Sequence, residues 1–89
     1  MIDFNKINEL YGIDVLKDIK TNEHDVIKNL MYFAILGFDD TIDIFERKAL
    51  VFIDDNISFK SKIDKLIDKI GINYVDEIEN NIDLLDLVY

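Results

Sequence analysis

The sequence contains no cysteine, no proline and no tryptophan, and its one histidine is His24. Without cysteine there are no disulfides, no thiolate metal ligands and no cysteine nucleophile. One histidine does not build a histidine metal cluster within one chain. With no proline and no Ser/Gly-rich stretch there is no internal boundary, so residues 1–89 read as a single domain. Positive charge is scarce. Ten Lys+Arg stand against 19 Asp+Glu, giving a formal charge of −9 and a pI near 4.3. That sign disfavours direct binding to nucleic acid or to an anionic membrane and favours a basic protein partner. Long apolar runs are also missing. The longest uncharged apolar stretch, residues 30–38, is too short to span a bilayer. Asp3, Lys6 and Glu9 interrupt the segment where a signal peptide would be apolar. The expectation is a cytoplasmic protein, in the host cytosol if viral.

What is present is a helical punctuation. Three glycines are each followed by an apolar residue and then by Asp or Asn: Gly12-Ile13-Asp14, Gly37-Phe38-Asp39 and Gly71-Ile72-Asn73. Glycine ends a helix in the left-handed conformation, the apolar residue packs back, and the polar residue caps the next helix. The spacing predicts helices over roughly 3–11, 14–20, 23–36, 40–53, 58–70 and 73–88, with Ser58 capping the fifth. The fold class is therefore all-α, a bundle of about five short helices, with a possible short strand at 49–53, where five apolar residues in a row do not distinguish the two periods.

The 23–36 segment is apolar over most of its circumference, with a polar edge at Asp25, Lys28 and Asn29, and reads as the central helix. In 73–88, Val75, Ile78, Ile82, Leu85 and Tyr89 step by three and four, a seam for packing on another helix. Beside it Asp76, Glu79, Asp83 and Asp86 form a carboxylate stripe that would be roughly 15 Å long on a continuous helix. Leu84 and Leu87 adjoin the stripe. Lys62, Lys65 and Lys69 of the preceding helix would neutralise Asp76 and Glu79 across an antiparallel hairpin, leaving Asp83 and Asp86 exposed.

Two stretches carry family resemblances. Residues 49–81 resemble the opening of a response-regulator receiver domain, with Asp54 and Asp55 matching its Mg²⁺-holding acidic pair. That family needs a five-stranded doubly wound sheet, and eight residues follow Asn81, so the match stops there. The stretch LGFDDTIDIF, residues 36–45, is similar to the prosthetic-group loop of acyl carrier proteins. Asp40 and Thr41 stand there and the acceptor serine is missing, which removes the function that resemblance implies. The Asp54-Asp55-Asn56 cluster lacks the glycine and terminal glutamate of a calcium loop. No nucleotide-binding or hydrolase motif is present, so neither an enzyme nor a cofactor is expected.

By elimination and charge, the leading expectation is a small acidic binding module. It would be an inhibitor, immunity-type or antitoxin-like protein, or a phage-encoded blocker. It would occupy a basic, nucleic-acid-binding site on a partner through Asp76, Glu79, Asp83, Leu84, Asp86 and Leu87. The alternative expectation is a structural subunit that forms a homo-oligomer through apolar faces of helices 23–36 and 40–53, at Ile44, Leu50 and Val51.

Overall fold

A computed structural model describes residues 2–89. Seven α-helices are formed: α1 (Phe4–Tyr11), α2 (Ile13–Thr21), α3 (Glu23–Leu36), α4 (Thr41–Arg47), α5 (Ala49–Phe52), α6 (Asn56–Ile70) and α7 (Tyr74–Asn80). A 3-10 helix, Ile82–Leu87, follows. The all-α class holds, with eight helical segments rather than about five and no strand among the described residues. The 49–53 segment is a single helical turn and not a strand.

The glycine punctuation marks helix ends as expected, and all three glycines have positive φ. Gly37 carries the full motif. Its N–H donates to the Ala34 carbonyl, the Phe38 N–H donates to the Phe33 carbonyl, and the Phe38 ring stacks on Phe33 at 4.6 Å. At the other two glycines the following residue turns outward: Ile13 is 53 % and Ile72 94 % exposed. The caps are shifted from the expected positions. Asp40, not Asp39, caps α4 by accepting from the Asp43 N–H. Asp55, not Ser58, caps α6 by accepting from the Ser58 N–H, so that helix begins two residues early, at Asn56.

Phe33 lies at the centre of the core, against Phe38, Phe52 and Phe59, with ring centroids 4.6, 4.9 and 5.5 Å away. Phe52 extends the cluster to Phe45 at 5.6 Å. Offset and edge-on pairs of this kind contribute about 0.5–1.5 kcal/mol each beyond their buried area. Ile7, Ile19, Val26, Ile63, Leu66, Ile78 and Leu85 close around the rings, all fully buried. α3 is the central helix and packs on α2, α4, α5 and α6.

One polar side chain sits inside this core. Asn29, assigned above to a polar edge, is fully buried. Its amide nitrogen donates to the carbonyls of Phe52 at 3.0 Å and Asp54 at 2.9 Å, and its oxygen accepts from Asn56 Nδ2 at 2.9 Å. The turn between α5 and α6 is thereby tied to the middle of α3, and no polar group is left unpaired in a place where that would cost about 1–3 kcal/mol.

Two of the long helices expected from the sequence, 40–53 and 73–88, are broken. At Lys48 the Tyr11 hydroxyl enters the helical ladder: it donates to the Glu46 carbonyl at 2.7 Å and accepts from the Ala49 N–H at 3.3 Å. A side chain inserted into the i→i−4 pattern bends a helix. The bend turns Ile44 and Phe45 inward before it, and Ala49, Val51 and Phe52 inward after it. One straight helix would not bury Ile44 and Val51 together with Phe45, Ala49 and Phe52, because they lie on different sides of it. The second break falls at Asn81, whose backbone leaves the helical region, and the chain continues as a 3-10 helix. Its three-residue period places Ile82 and Leu85 on one face, and both are buried. The apolar seam thus survives a change of helix type.

Candidate functional site

The C-terminal acids do not form the continuous stripe expected of one α-helix. They belong instead to an acidic strip assembled from two segments. Residues 75–86 run alongside residues 37–48, as four contacts fix. A side chain at Gly37 would lie 3.7 Å from Val75 Cγ2, and the Asp39 N–H donates to a Glu79 carboxylate oxygen at 3.5 Å. Lys48 Nζ then reaches Asp83 at 2.8 Å and Asp86 at 2.9 Å. Asp39, Asp40 and Asp43 therefore join Asp76, Glu79, Asp83 and Asp86, with Arg47 and Lys48 as the cations within the two segments. All seven acids except the half-buried Glu79 are exposed.

Tyr74 anchors the base of the second segment. Its hydroxyl donates to the Leu36 carbonyl at 2.6 Å, which satisfies an otherwise free carbonyl at the end of α3. Ile78, fully buried, fixes the roll of α7. The acids of α7 are thus held by a docked helix rather than by a mobile tail.

Asp83 and Asp86 are exposed as expected, but they are not free of an internal partner, and the lysine that pairs them is Lys48 rather than one of the preceding helix. On a 3-10 helix, residues three apart eclipse, so the two carboxylates stand one above the other and share a single ammonium. Hydrogen bonding to Asp83 and then Asp86 raises the Lys48 pKa, and the same ammonium lowers that of Asp83. Two carboxylates on one lysine still leave one negative charge, and their side chains remain 75 % and 56 % exposed. Lys62 turns away to Asp54, at 3.2 Å. Lys65 and Lys69 are exposed and take part in no ion pair among the described residues. Asp43 pairs with Arg47 at 3.6 Å. Asp39, Asp40, Asp76 and Glu79 have no ion-pair partner among the described residues, so the unneutralised charge lies at the α7 end of the strip.

Of the two leucines beside the acids, Leu87 is 64 % exposed, whereas Leu84 is half-buried against the core. Sequence reasoning missed Asp39, Asp40, Asp43 and Lys48 as members of this surface. Their spacing gives no signal, because the segments are joined only in space. The alternative oligomer residues are corrected likewise: Ile44 and Val51 are 4 % and 5 % exposed and belong to the core, and only Leu50, at 60 %, faces solvent.

Asp54 and Asp55 are occupied by structural tasks. Asp55 caps α6. One oxygen of Asp54 accepts from the Asp55 N–H, and the other accepts from Lys62 and from the Tyr89 hydroxyl, both at 3.2 Å. Any cation there would have to displace Lys62. His24 is exposed at the start of α3. Beside the strip, Lys6, Arg47 and Lys48 alternate with Asp43, Glu46 and Asp83 around an open cleft of about 600 Å³. Its charges balance, and each of its cations is paired: Lys6 with Glu46, Arg47 with Asp43 and Lys48 with Asp83.

No protein-family model, no curated protein and no solved structure matches the chain. No helix of the described residues is long and apolar enough to cross a membrane.

Proposed function

We propose that the protein is a non-enzymatic binding module that uses the acidic strip to occupy a basic, nucleic-acid-binding surface of another protein. Inhibitors, immunity proteins, antitoxins and phage-encoded blockers of nucleic-acid-binding enzymes act in this way. The observation that carries the reading is the pairing of two acidic segments, 39–43 and 76–86, into one surface whose α7 end keeps four carboxylates, Asp39, Asp40, Asp76 and Glu79, without a cation partner among the described residues. Rigid presentation matters as much as charge, because carboxylates fixed on a docked helix lose little freedom on binding. The field of a chain carrying −9 would also steer a basic partner towards it and make association salt-sensitive.

The test separates the strip from net charge. One variant carries Asp39→Lys, Asp76→Lys and Glu79→Lys. A control carries Asp14→Lys, Asp18→Lys and Asp68→Lys, the same change in charge on α2 and α6. Binding of a labelled arginine-rich peptide at about 0.15 M salt should fall about tenfold or more for the strip variant and much less for the control. Equal losses would reduce the interaction to overall charge and overturn the reading.

A further inference from the structure

α3 turns an apolar ridge to solvent that no other element covers. Met31 is 59 % and Ile35 78 % exposed, Ala34 is exposed, and Ile27 is half-buried one turn earlier. Residues 27, 31, 34 and 35 follow the three- and four-residue step of one helical face. A groove flanks the ridge on each side. The one towards α4, about 310 Å³, is lined by Ile27, Leu30, Met31, Ala34, Thr41 and Ile42 and holds no charge. The one towards α6, about 320 Å³, contains Lys28 and Lys60 with Tyr32, Asn56 and the other flank of Met31 and Ile35.

Neither Lys28 nor Lys60 forms an ion pair among the described residues. Lys60 Nζ lies 5.3 Å over the Tyr32 ring. The nearby carboxylate of Asp64 accepts from the Tyr32 hydroxyl rather than from a lysine. In a chain with almost twice as many acids as bases, the charged side chains that line the two grooves are both lysines.

We propose that this face is the docking site for an amphipathic helix of a partner protein, one with an apolar stripe and carboxylates along a single flank. The apolar stripe would seat on the ridge and the uncharged groove, and the carboxylates would meet Lys28 and Lys60. Charge complementarity argues against a second copy as the occupant. In a two-fold antiparallel pairing of α3 with itself, each flank adjoins the same flank of its mate, which brings two pairs of lysines together on one side. The site is separate from the acidic strip and stands whether or not the strip binds a basic protein.

The probes are two designed helical peptides of about 18 residues, roughly five turns, with an identical leucine stripe. One has glutamates along one flank and the other has lysines there. At about 0.15 M salt, where long-range repulsion is damped, the glutamate peptide should bind the protein about tenfold more tightly than the lysine peptide, although the whole protein is negative. Lys28→Glu with Lys60→Glu should reverse the order. Met31→Asp with Ile35→Asp, both at exposed positions and checked for helical content, should remove binding of either peptide. The proposal is overturned if the lysine peptide binds the native protein at least as well, or if neither peptide binds. It is also overturned if the native protein sediments as a dimer that Met31→Asp with Ile35→Asp dissociates.

Discussion

Asn56 Nδ2 donates to the buried side-chain oxygen of Asn29 at 2.9 Å, joining the first residue of α6 to the middle of α3. Asp25, one turn earlier on α3, accepts from the Asn56 backbone N–H at 3.2 Å. The start of α6 is thus fixed by two side chains of α3. We expect Asn29→Ala to destabilise the fold by about 2–4 kcal/mol, because it leaves two backbone carbonyls and the Asn56 amide without partners. Asn29→Asp should be worse at neutral pH, since it directs a carboxylate at those same carbonyls. Its folded pKa would lie above the unfolded value of about 3.9, so this variant should gain stability as pH falls and lose it as pH rises. Urea unfolding of both variants at acid and neutral pH checks the order and the sign.

Tyr32 and Tyr89 contribute to stability at alkaline pH. Burial, aided by hydrogen bonding to Asp64, pushes the Tyr32 hydroxyl up to about 12. Burial, aided by the charge of Asp54, pushes that of Tyr89 up as well. A raised folded pKa means that folding favours the protonated form. The stability it contributes is complete below the unfolded value of about 10 and is lost as pH rises through the folded value. We expect ultraviolet titration of the native protein to show a late phenolate component that disappears in Tyr32→Phe with Tyr89→Phe. A native titration with no component later than the free phenol would contradict this.

Lys48→Met should act on the C-terminal segment. Asp83 is held below the usual carboxylate range by this ammonium, so the stability from the pair is present above the unfolded carboxylate pKa and is lost as pH falls through the lowered one. Without Lys48 the Asp83 pKa should return upwards, the 3-10 helix should exchange its amides faster, and the strip should gain negative charge. Carboxylate titration by NMR and amide exchange over residues 82–87 test both effects. An unchanged Asp83 titration would remove the ion pair from the account.

Ion pairing and self-repulsion make opposite demands on salt. Among the described residues five acids are paired, mostly at exposed positions where a pair contributes about 0–1 kcal/mol, while the other acids repel one another. With −9 overall, repulsion should win, and the melting temperature should rise between about 0.02 M and 0.2 M salt. A fall over that range would mean that the pairs outweigh the excess.

The helical class, the glycine breaks, the central place of α3 and the C-terminal apolar seam were legible because each rests on local spacing. Ile78, Ile82 and Leu85 keep their three- and four-residue steps whether the backbone is α or 3-10. The two helix breaks were not legible. The one at Lys48 depends on a hydroxyl from Tyr11, far away in sequence. Asn29 looked like a surface residue because its partners, Phe52, Asp54 and Asn56, come from another segment. The candidate strip was half visible: the row in 76–86 shows a period, whereas its alignment with 39–43 exists only after folding. The place of Lys48 has no sequence signal for the same reason, whereas the lysines of α6 are close to these acids in sequence but not paired with them.

Chemical-shift mapping of the ¹⁵N-labelled protein with an arginine-rich peptide tests the central claim most directly. We expect the amide shifts to concentrate in residues 37–43 and 74–86 together, strongest near Asp39, Asp76 and Glu79, and to fade as salt rises. Shifts spread evenly over the acids of α1, α2 and α6, or confined to one of the two segments, would contradict a binding surface formed by their alignment.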